Sequence, residues 1–406
     1  MDKTNEMFTK TLDVLSANTH LIEILTIIIV ISTLVAILIY VALQQSAKQG
    51  NCITIKELYP IPTNIKSVLA NKDQMKYTIS DTDYDTRLRD VYVKASYNSC
   101  SAGNYKDDWV STCALSEVLK QGCRFVDFEI YSVNHEPVVA TSTSTDYYTK
   151  ETWNSVPFSS VAKLIKNNAF SRDFVPNNTD PLLVHLRFKS NDILMYNKLA
   201  DVVKKQLDRF VLDNKYSCSY AGEGANPANV LDATFSSMVL KQKVIIIVDG
   251  ASNSTYMDSS FNEYVNLSSS CSSTPTVTEY RNFSAQTSET DDTLTTITKA
   301  GEVIVLPDLN KTPVNTDFAS PTTGLFLTGC QIVGMCFQLK DPLLINYINF
   351  FDAPIRGVAP SAFMLKDVSL INPDSTETYP VIKQLNCSTQ TQTSKYGDTY
   401  ETQVCS

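Results

Sequence analysis

Glycine is scarce, with only 12 in 406 residues, well under the usual share of about 7 %. Neither GxGxxG nor GxxxxGK[ST] occurs, which argues against glycine-loop nucleotide binding. Histidine is rarer still, limited to His20, His135 and His185. With no CxxC pair and no His/Cys cluster at ligand spacing, a zinc site is disfavoured. Basic clusters are missing too. The chain carries 34 basic against 43 acidic residues, a net charge of −9, whereas phosphate neutralisation along a nucleic acid needs grouped Lys and Arg. No nucleic-acid partner is expected. What is present is core material: 43 % of residues are hydrophobic and 10 % aromatic, enough to exclude a wholly disordered chain.

One run stands apart. Ile24 to Leu43 reads ILTIIIVISTLVAILIYVAL without a charge, and twenty residues at a rise of about 1.5 Å cross a hydrocarbon core of about 30 Å. A cleaved signal peptide has a shorter apolar region nearer the start and a small-residue cleavage site after it. The pattern predicts a short tail (1–20), then an uncleaved anchor (21–43) whose partner is the lipid bilayer through residues 24–43. Lys3 and Lys10 before the span balance Lys48 and Lys56 after it, so flanking charge does not orient it. Cysteine placement does: all ten follow the anchor, and an even number on one side points to disulfides in an oxidising compartment. Six N-x-S/T sequons, at Asn177, Asn253, Asn266, Asn282, Asn310 and Asn386, lie on the same side and are glycosylation candidates. The expected topology is a type II single-pass protein with its large C-terminal part lumenal, extracellular or on a virion membrane.

After the anchor, residues 44–87 are mixed and polar, broken by Pro60 and Pro62, and read as a stalk. Short β-rich runs follow at Val91–Ala95, Arg124–Tyr131, Pro137–Ala140, Pro181–Phe188, Val244–Val248 and Val303–Leu306. Helix-like segments at Ser111–Lys120 and Asn197–Leu212 lie between them, with apolar residues at three- and four-residue steps. Strand alternating with helix implies a parallel sheet. Nearly unbroken apolar strands such as VIIIV are buried on both faces, and the number of units favours an α/β fold of the closed (β/α) barrel type. Residues 251–298 turn to Ser, Thr and Asn and read as a linker; residues 372–406 read as a tail tied down by Cys387 and Cys405.

Two pairs of polar residues interrupt the apolar strands. Asp127 and Glu129 in CRFVDFEIY are two apart and share a face; near the end of a barrel strand such a pair is either a metal or acid/base site or a solvated strand face. His185 and Arg187 in PLLVHLRFK likewise share a face. They either point into the barrel mouth or form a satisfied internal network.

The order of motifs is recognisable. VYVKASYNSCSAGN, SEVLKQGCRFVDFEIY, HEPVVATST, PLLVHLRFKSN and QKVIIIVDG together resemble the X half of the phosphoinositide-specific phospholipase C family. GCQIVGMCFQ (Gly329 to Gln338), the paired Phe350 and Phe351, and FMLK (Phe363 to Lys366) resemble its Y half. The resemblance places an X-like half at 88–250, a linker at 251–298 and a Y-like half at 299–371, and implies a distorted β/α barrel. It also implies calcium-assisted cleavage of a lipid phosphodiester by two histidines.

Carried over residue by residue, that site is dismantled. The first family histidine, in S-H-N-T, falls on Tyr97, while the adjacent ligand asparagine is kept as Asn98. The Glu-x-Asp calcium ligands fall on Asp127 and Glu129, swapped in type. The second histidine falls on Thr141, and a further carboxylate ligand, from S-L-E-N, falls on Arg187, which reverses the charge. Phosphate-reading lysines map onto Ile247 and Asp249, and an Arg and a Tyr of the Y half map loosely onto Ile304 and Leu306. Positioned histidines contribute about 10²–10⁴-fold each, so losing both predicts negligible turnover by that route. Calcium takes about six to eight oxygen ligands, so Asn98, Asp127 and Glu129 alone make a weak site, and Arg187 is expected to replace the metal's charge. No cofactor is expected, calcium being bound only if this vestigial set still holds it. His185 is the one available replacement for the lost histidines; His135 is expected in a turn and His20 in the tail.

The sequence therefore predicts a membrane-anchored, catalytically inactive barrel that serves as a binding, attachment or structural component, such as a viral membrane protein, with a protein or lipid headgroup as the barrel's ligand. The alternative is an active phosphoric diester hydrolase, acting on phosphatidylinositol or glycerophosphodiesters with rearranged residues.

Overall fold

In a computed structural model, the described residues are 7, 9–10, 18–59, 86–144, 149–220, 229–249, 255–269, 277–281, 291–318, 324–352, 362–371, 387–393 and 399–405. The chain divides into two units, Met1–Ile53 and Thr54–Ser406.

Most of the first unit is one helix, α1, which spans Thr19–Leu58 and runs on into the second unit. It contains a single segment long and apolar enough to cross a membrane, and none of its most apolar window is buried. The helix continues fifteen residues beyond Leu43, so the first part of the expected stalk is helical. Nothing in 44–58 stops it, and Pro60 and Pro62 lie outside the described residues.

The second unit is built on eight parallel strands. In chain order these are β1 (Val91–Ser96), β2 (Phe125–Val133), β5 (Leu182–Phe188), β6 (Val244–Asp249), β7 (Leu267–Ser268), β8 (Val277–Arg281), β9 (Glu302–Leu306) and β10 (Ile332–Met335). Their spatial order is β7-β6-β5-β2-β1-β10-β9-β8, all parallel. Among the described residues β7 and β8 do not pair with each other, so the barrel is nearly closed. Three short strands attach outside the ring. β3 (Glu136–Ala140) runs antiparallel to β2, β4 (Val156–Pro157) to β3, and β11 (Phe363–Leu365) to β1. Helices α2 (Thr112–Lys120), α3 (Phe158–Leu164), α4 (Ile193–Leu207), α5 (Asp291–Ala300) and α6 (Pro342–Asp352) complete the unit. Two begin on side-chain caps: Ser111 accepts from Cys113 N–H and Asp192 from Leu194 N–H, each satisfying one of the orphan donors of a first helical turn.

The expected β/α barrel is thus observed, and the two-residue period of its strands builds two cores. Val126, Phe128, Ile130, Val184, Leu186, Ile246 and Val248 face outward and pack with helix residues such as Leu115, Leu199 and Val203. Val91, Val93, Phe125, Leu183, Ile245, Val277, Ile304 and Ile332 pack together inside the ring. Large β-branched and aromatic side chains fill the interior, so it is a packed core rather than a pore.

Three expectations need correction. The stretch 251–298, read as a linker, contributes β7, β8 and most of α5 among its described residues. These strands were hidden because β7 has only two residues and β8 (VTEYR) carries two charges. Nor are all the cysteines committed to disulfides: Cys113, Cys218 and Cys52 are bonded, but Cys100, Cys123, Cys330 and Cys336 are buried free thiols. They behave as small apolar core residues, and burial raises the pKa of each. In the tail, β12 (Cys387–Thr393) and β13 (Thr399–Cys405) form an antiparallel pair with Cys387 opposite Cys405.

Three of the sequons are also misplaced as surface sites, because Asn177, Asn266 and Asn310 are buried. Asn177 accepts from Arg124 at 2.7 Å and donates to the Gly122 carbonyl at 2.9 Å. Asn266 receives the Ile246 N–H at 2.8 Å. A glycan does not fit such positions in the folded chain. Asn253, Asn282 and Asn386 lie outside the described residues. Mass spectrometry of the peptide bearing Asn177 is expected to find it unmodified. Asn177→Ala, which strips buried Arg124 of a partner, is expected to cost about 1–3 kcal/mol in denaturant unfolding; a fully glycosylated Asn177 would contradict this packing.

Candidate functional site at the carboxyl ends of the strands

The inward-facing positions change character along the barrel. Near the strand starts they are Phe125, Leu183, Ile245 and Val277; further along they are Asp127, Glu129, His185, Arg187, Glu279 and Arg281. Parallel pairing brings these polar residues level. Asp127 lies opposite His185, and His185 in turn opposite Ile247, while Glu129 lies opposite Arg187 and Arg187 opposite Asp249.

Arg187 is the hub. Its Nε and one terminal nitrogen donate to the two oxygens of Asp127 at 2.9 and 2.8 Å. That same terminal nitrogen donates to Asn98 Oδ1 at 2.8 Å, and the other donates to Glu129 Oε1 at 2.8 Å. The planar guanidinium matches two carboxylates and an amide at once, a geometry lysine lacks.

Each carboxylate is satisfied by further donors. Asp127 accepts from the Asn98 backbone N–H at 2.9 Å and lies 2.8 Å from His185 Nδ1. Glu129 accepts from the Tyr131 hydroxyl at 2.7 Å and from the Ser142 N–H at 3.0 Å. Asn98 has φ of +43°, in the left-handed region that asparagine tolerates best among residues other than glycine. That backbone turn presents its N–H and its side-chain oxygen to the same cluster.

Electrostatics follow from these contacts. Burial alone would raise Asp127, but Arg187 and the hydrogen bonds from His185 and Arg187 overcome it and hold the carboxyl well below its ordinary value. Burial would lower Arg187, yet Asp127, Tyr97 and Glu129 raise it further. Glu279 is pushed up to about 7, chiefly by burial and then by Asp249, against the pull of His185 and the two arginines. Its Oε2 lies 3.5 Å from His185 Nε2.

Tyr97 fills the space beside this cluster. Its ring lies 4.8 Å from the Arg187 guanidinium carbon and 5.8 Å from that of Arg281, so the phenol is flanked by two cations. Arg281 also donates to the Tyr97 hydroxyl at 3.2 Å. Gly334 leaves room for this ring, since a Cβ there would lie 3.3 Å from the Tyr97 Cβ. Burial raises the Tyr97 pKa despite both arginines. The phenol is not poised to act as a base.

Of the other sequence candidates only His185 joins the cluster. Thr141 is buried and donates to the Tyr105 carbonyl at 2.8 Å. Ile247, Ile304 and Leu306 are buried apolar residues, and Asp249 is half-buried. His185 is fully buried, its ring held between Asp127 and Glu279. His135 sits in the turn before β3, 2.8 Å from Asp192.

Glu279 and Arg281 were missed by sequence reasoning because they lie in the stretch read as linker. Val277, Glu279 and Arg281 at two-residue spacing were the only signal.

The donor set does not suit calcium. Asn98 Oδ1 and both carboxylates are already taken by Arg187 and its neighbours, and a positive charge stands among them. Hard cations need several free oxygens, so these residues do not fit the ion. Among the described residues no group of three or more His, Cys, Asp or Glu side chains is placed to hold a metal.

Comparison with known proteins agrees with the motif order. Residues 84–248 match the model of the phosphatidylinositol-specific phospholipase C X domain. No curated protein sequence matches the chain. Among solved structures, the chain is similar to PLC21 of S. officinalis, with 16 % identity and a TM-score of 0.54 over 75 % of this chain and 40 % of that one. L. pealei PLC21 gives 16 % identity and a TM-score of 0.52, over 70 % and 38 %. The chain therefore spans about two fifths of the length of these proteins, and the likeness is one of fold.

Proposed function

We propose that this chain, whose residues 84–248 match the phosphatidylinositol-specific phospholipase C X domain, is a non-catalytic PLC-like protein, held to a membrane by α1 and serving as a binding or structural component. One observation carries this reading: the Arg187 guanidinium is hydrogen-bonded to Asn98, Asp127 and Glu129 together, where the family resemblance expects a calcium ion. Two others support it. Tyr97 and Thr141, at the family's histidine positions, are buried and engaged with the protein itself. His185, the available substitute, is sealed from solvent, and a general acid or base has to reach the proton it moves. The exposed apolar surface of α1 supports the anchor. The bonded state of Cys52, Cys113 and Cys218 supports a barrel on the lumenal or outer side, which suits a surface or virion protein.

Inositol phosphate release from phosphatidylinositol vesicles by the purified full chain, with calcium and with chelator, tests the proposal. No release above background is expected in either condition from folded protein. Calcium-dependent release would overturn it in favour of an active phosphodiesterase.

A further inference from the structure

At the opposite end of the barrel, Lys166, Arg209, Lys241 and Lys243 line one cavity of about 430 Å³, together with the rings of Phe170 and Phe210. Lys243 immediately precedes β6, while Lys166 and Arg209 follow α3 and α4. The cavity therefore lies where the parallel strands begin, away from the Asp127–Arg187 cluster.

Its charge is unusual for this chain. No acidic side chain lines it, although acidic residues outnumber basic ones 43 to 34 overall. None of the four cations forms an ion pair with a described residue. Helix ends account for part of the charge, because each C-terminus carries about −0.5 of an elementary charge. The ends of α3 and α4 thus offset about one positive charge, which leaves about three. Lys243 donates to the Val211 and Arg209 carbonyls at 2.9 and 3.3 Å, which fixes its ammonium at the cavity wall; Lys241 and Arg209 are exposed.

The apolar wall is equally organised. The Phe170 and Phe210 rings lie 4.8 Å apart at 31°, and the Arg209 guanidinium carbon lies 4.3 Å from the Phe210 centroid. Fully buried Arg124 backs Phe170 at 5.9 Å, and its Nε has no hydrogen-bond partner.

The volume is that of a small-molecule site. An excess of about three positive charges calls for a dianion rather than a single carboxylate, and an arginine fork beside lysines suits phosphate oxygens. We propose that this cavity binds a phosphate monoester, with the phosphate held by Arg209, Lys241 and Lys243 and the organic part against Phe170 and Phe210. The source is either a soluble ester or a lipid headgroup.

The test titrates the full chain in detergent with phenyl phosphate by calorimetry, and in parallel measures its binding to phosphatidylcholine vesicles with and without phosphatidate. Saturable binding in either arm is expected, weakened by salt and reduced at least about tenfold by the double variant Arg209→Gln/Lys241→Gln, which removes both charged donors from the phosphate. The charge-preserving pair Arg209→Lys/Lys241→Arg is expected to keep most of the affinity. Binding of phenyl phosphate assigns the soluble source, and binding only to phosphatidate vesicles assigns the headgroup. No binding in both arms, or binding indifferent to the glutamine pair at unchanged melting temperature, overturns the site. Neither outcome touches the Arg187 cluster, so the two proposals fail separately.

Discussion

Replacing Arg187 by alanine is expected to destabilise the barrel by about 3–5 kcal/mol, the usual consequence of removing one member of a buried charge network. The variant leaves Asp127 and Glu129 buried with no cation between them, and each lost bond strands an acceptor. Denaturant unfolding at pH 7 measures the loss. The triple variant Asp127→Asn/Glu129→Gln/Arg187→Met is expected to be less damaged than Arg187→Ala, because neutral groups of similar volume carry no desolvated charge. If instead the triple variant is the worse of the two, packing rather than charge holds this end of the barrel.

The same position offers a sharper test of what the guanidinium stands in for. Arg187→Glu places three carboxylates around Asn98 and is expected to unfold readily in chelator. With the guanidinium gone, the oxygens of Asn98, Asp127, Glu129 and the introduced carboxylate become available to calcium, whose site needs about six to eight oxygens, some of them from water. The expected result is a melting temperature that rises with added calcium in Arg187→Glu and does not respond in the wild type. A wild-type response to calcium would show that Arg187 does not replace the ion. An Arg187→Glu variant indifferent to calcium would show that the cluster has lost the geometry as well as the charge.

How much of this was legible in the sequence depended on local period. VDFEIY and VHLRFK announce alternating strands because apolar residues mark the outward face, and the same alternation put Asp127, Glu129, His185 and Arg187 on one face before any coordinates. Charge reversal at Arg187 suggested a pairing with the two carboxylates. The bidentate geometry and the share taken by Asn98 depend on a positive φ that no pattern encodes. The β7 and β8 strands were illegible for a different reason: β7 has only two residues and two of the three inward positions of β8, Glu279 and Arg281, are charged, so composition pointed to a loop while tertiary context made a strand. With β8 went Glu279 and Arg281, and with them the second cation beside Tyr97. Cysteine count misled because burial, not pairing, accounts for Cys100, Cys123, Cys330 and Cys336.

The other large effect concerns a buried carboxyl far from Arg187. Glu302, at the start of β9, is fully buried and neither of its oxygens has a hydrogen-bond partner. Burial pushes its pKa up to about 8, with Lys366 pulling it down and Asp90 pushing it up. Burial likewise lowers Lys366 to about 8, against the pull of Glu302 and Asp90. In the unfolded chain a glutamate titrates near about 4.3. Between that pH and 8 the folded state holds a proton that the unfolded state has released, so the stability this group contributes is present at low pH and is lost as pH rises through the window. At about 1.4 kcal/mol per unit the fall is on the order of 5 kcal/mol. Glu302→Gln keeps the shape and removes the titration. It is expected to match the wild type in stability near pH 5 and to exceed it near pH 8, the two curves of unfolding free energy diverging steadily between. Asp90 and Glu279, both raised to about 7 by burial, titrate in the same sense and stay in the variant, so its slope is reduced rather than abolished. Above pH 8 Lys366 begins to lose its proton in the folded state alone, which favours folding as pH rises and bounds the window in which the comparison reads Glu302. Parallel curves for wild type and Glu302→Gln from pH 5 to 8 would mean that Glu302 is already ionised in the fold, its charge balanced by Lys366.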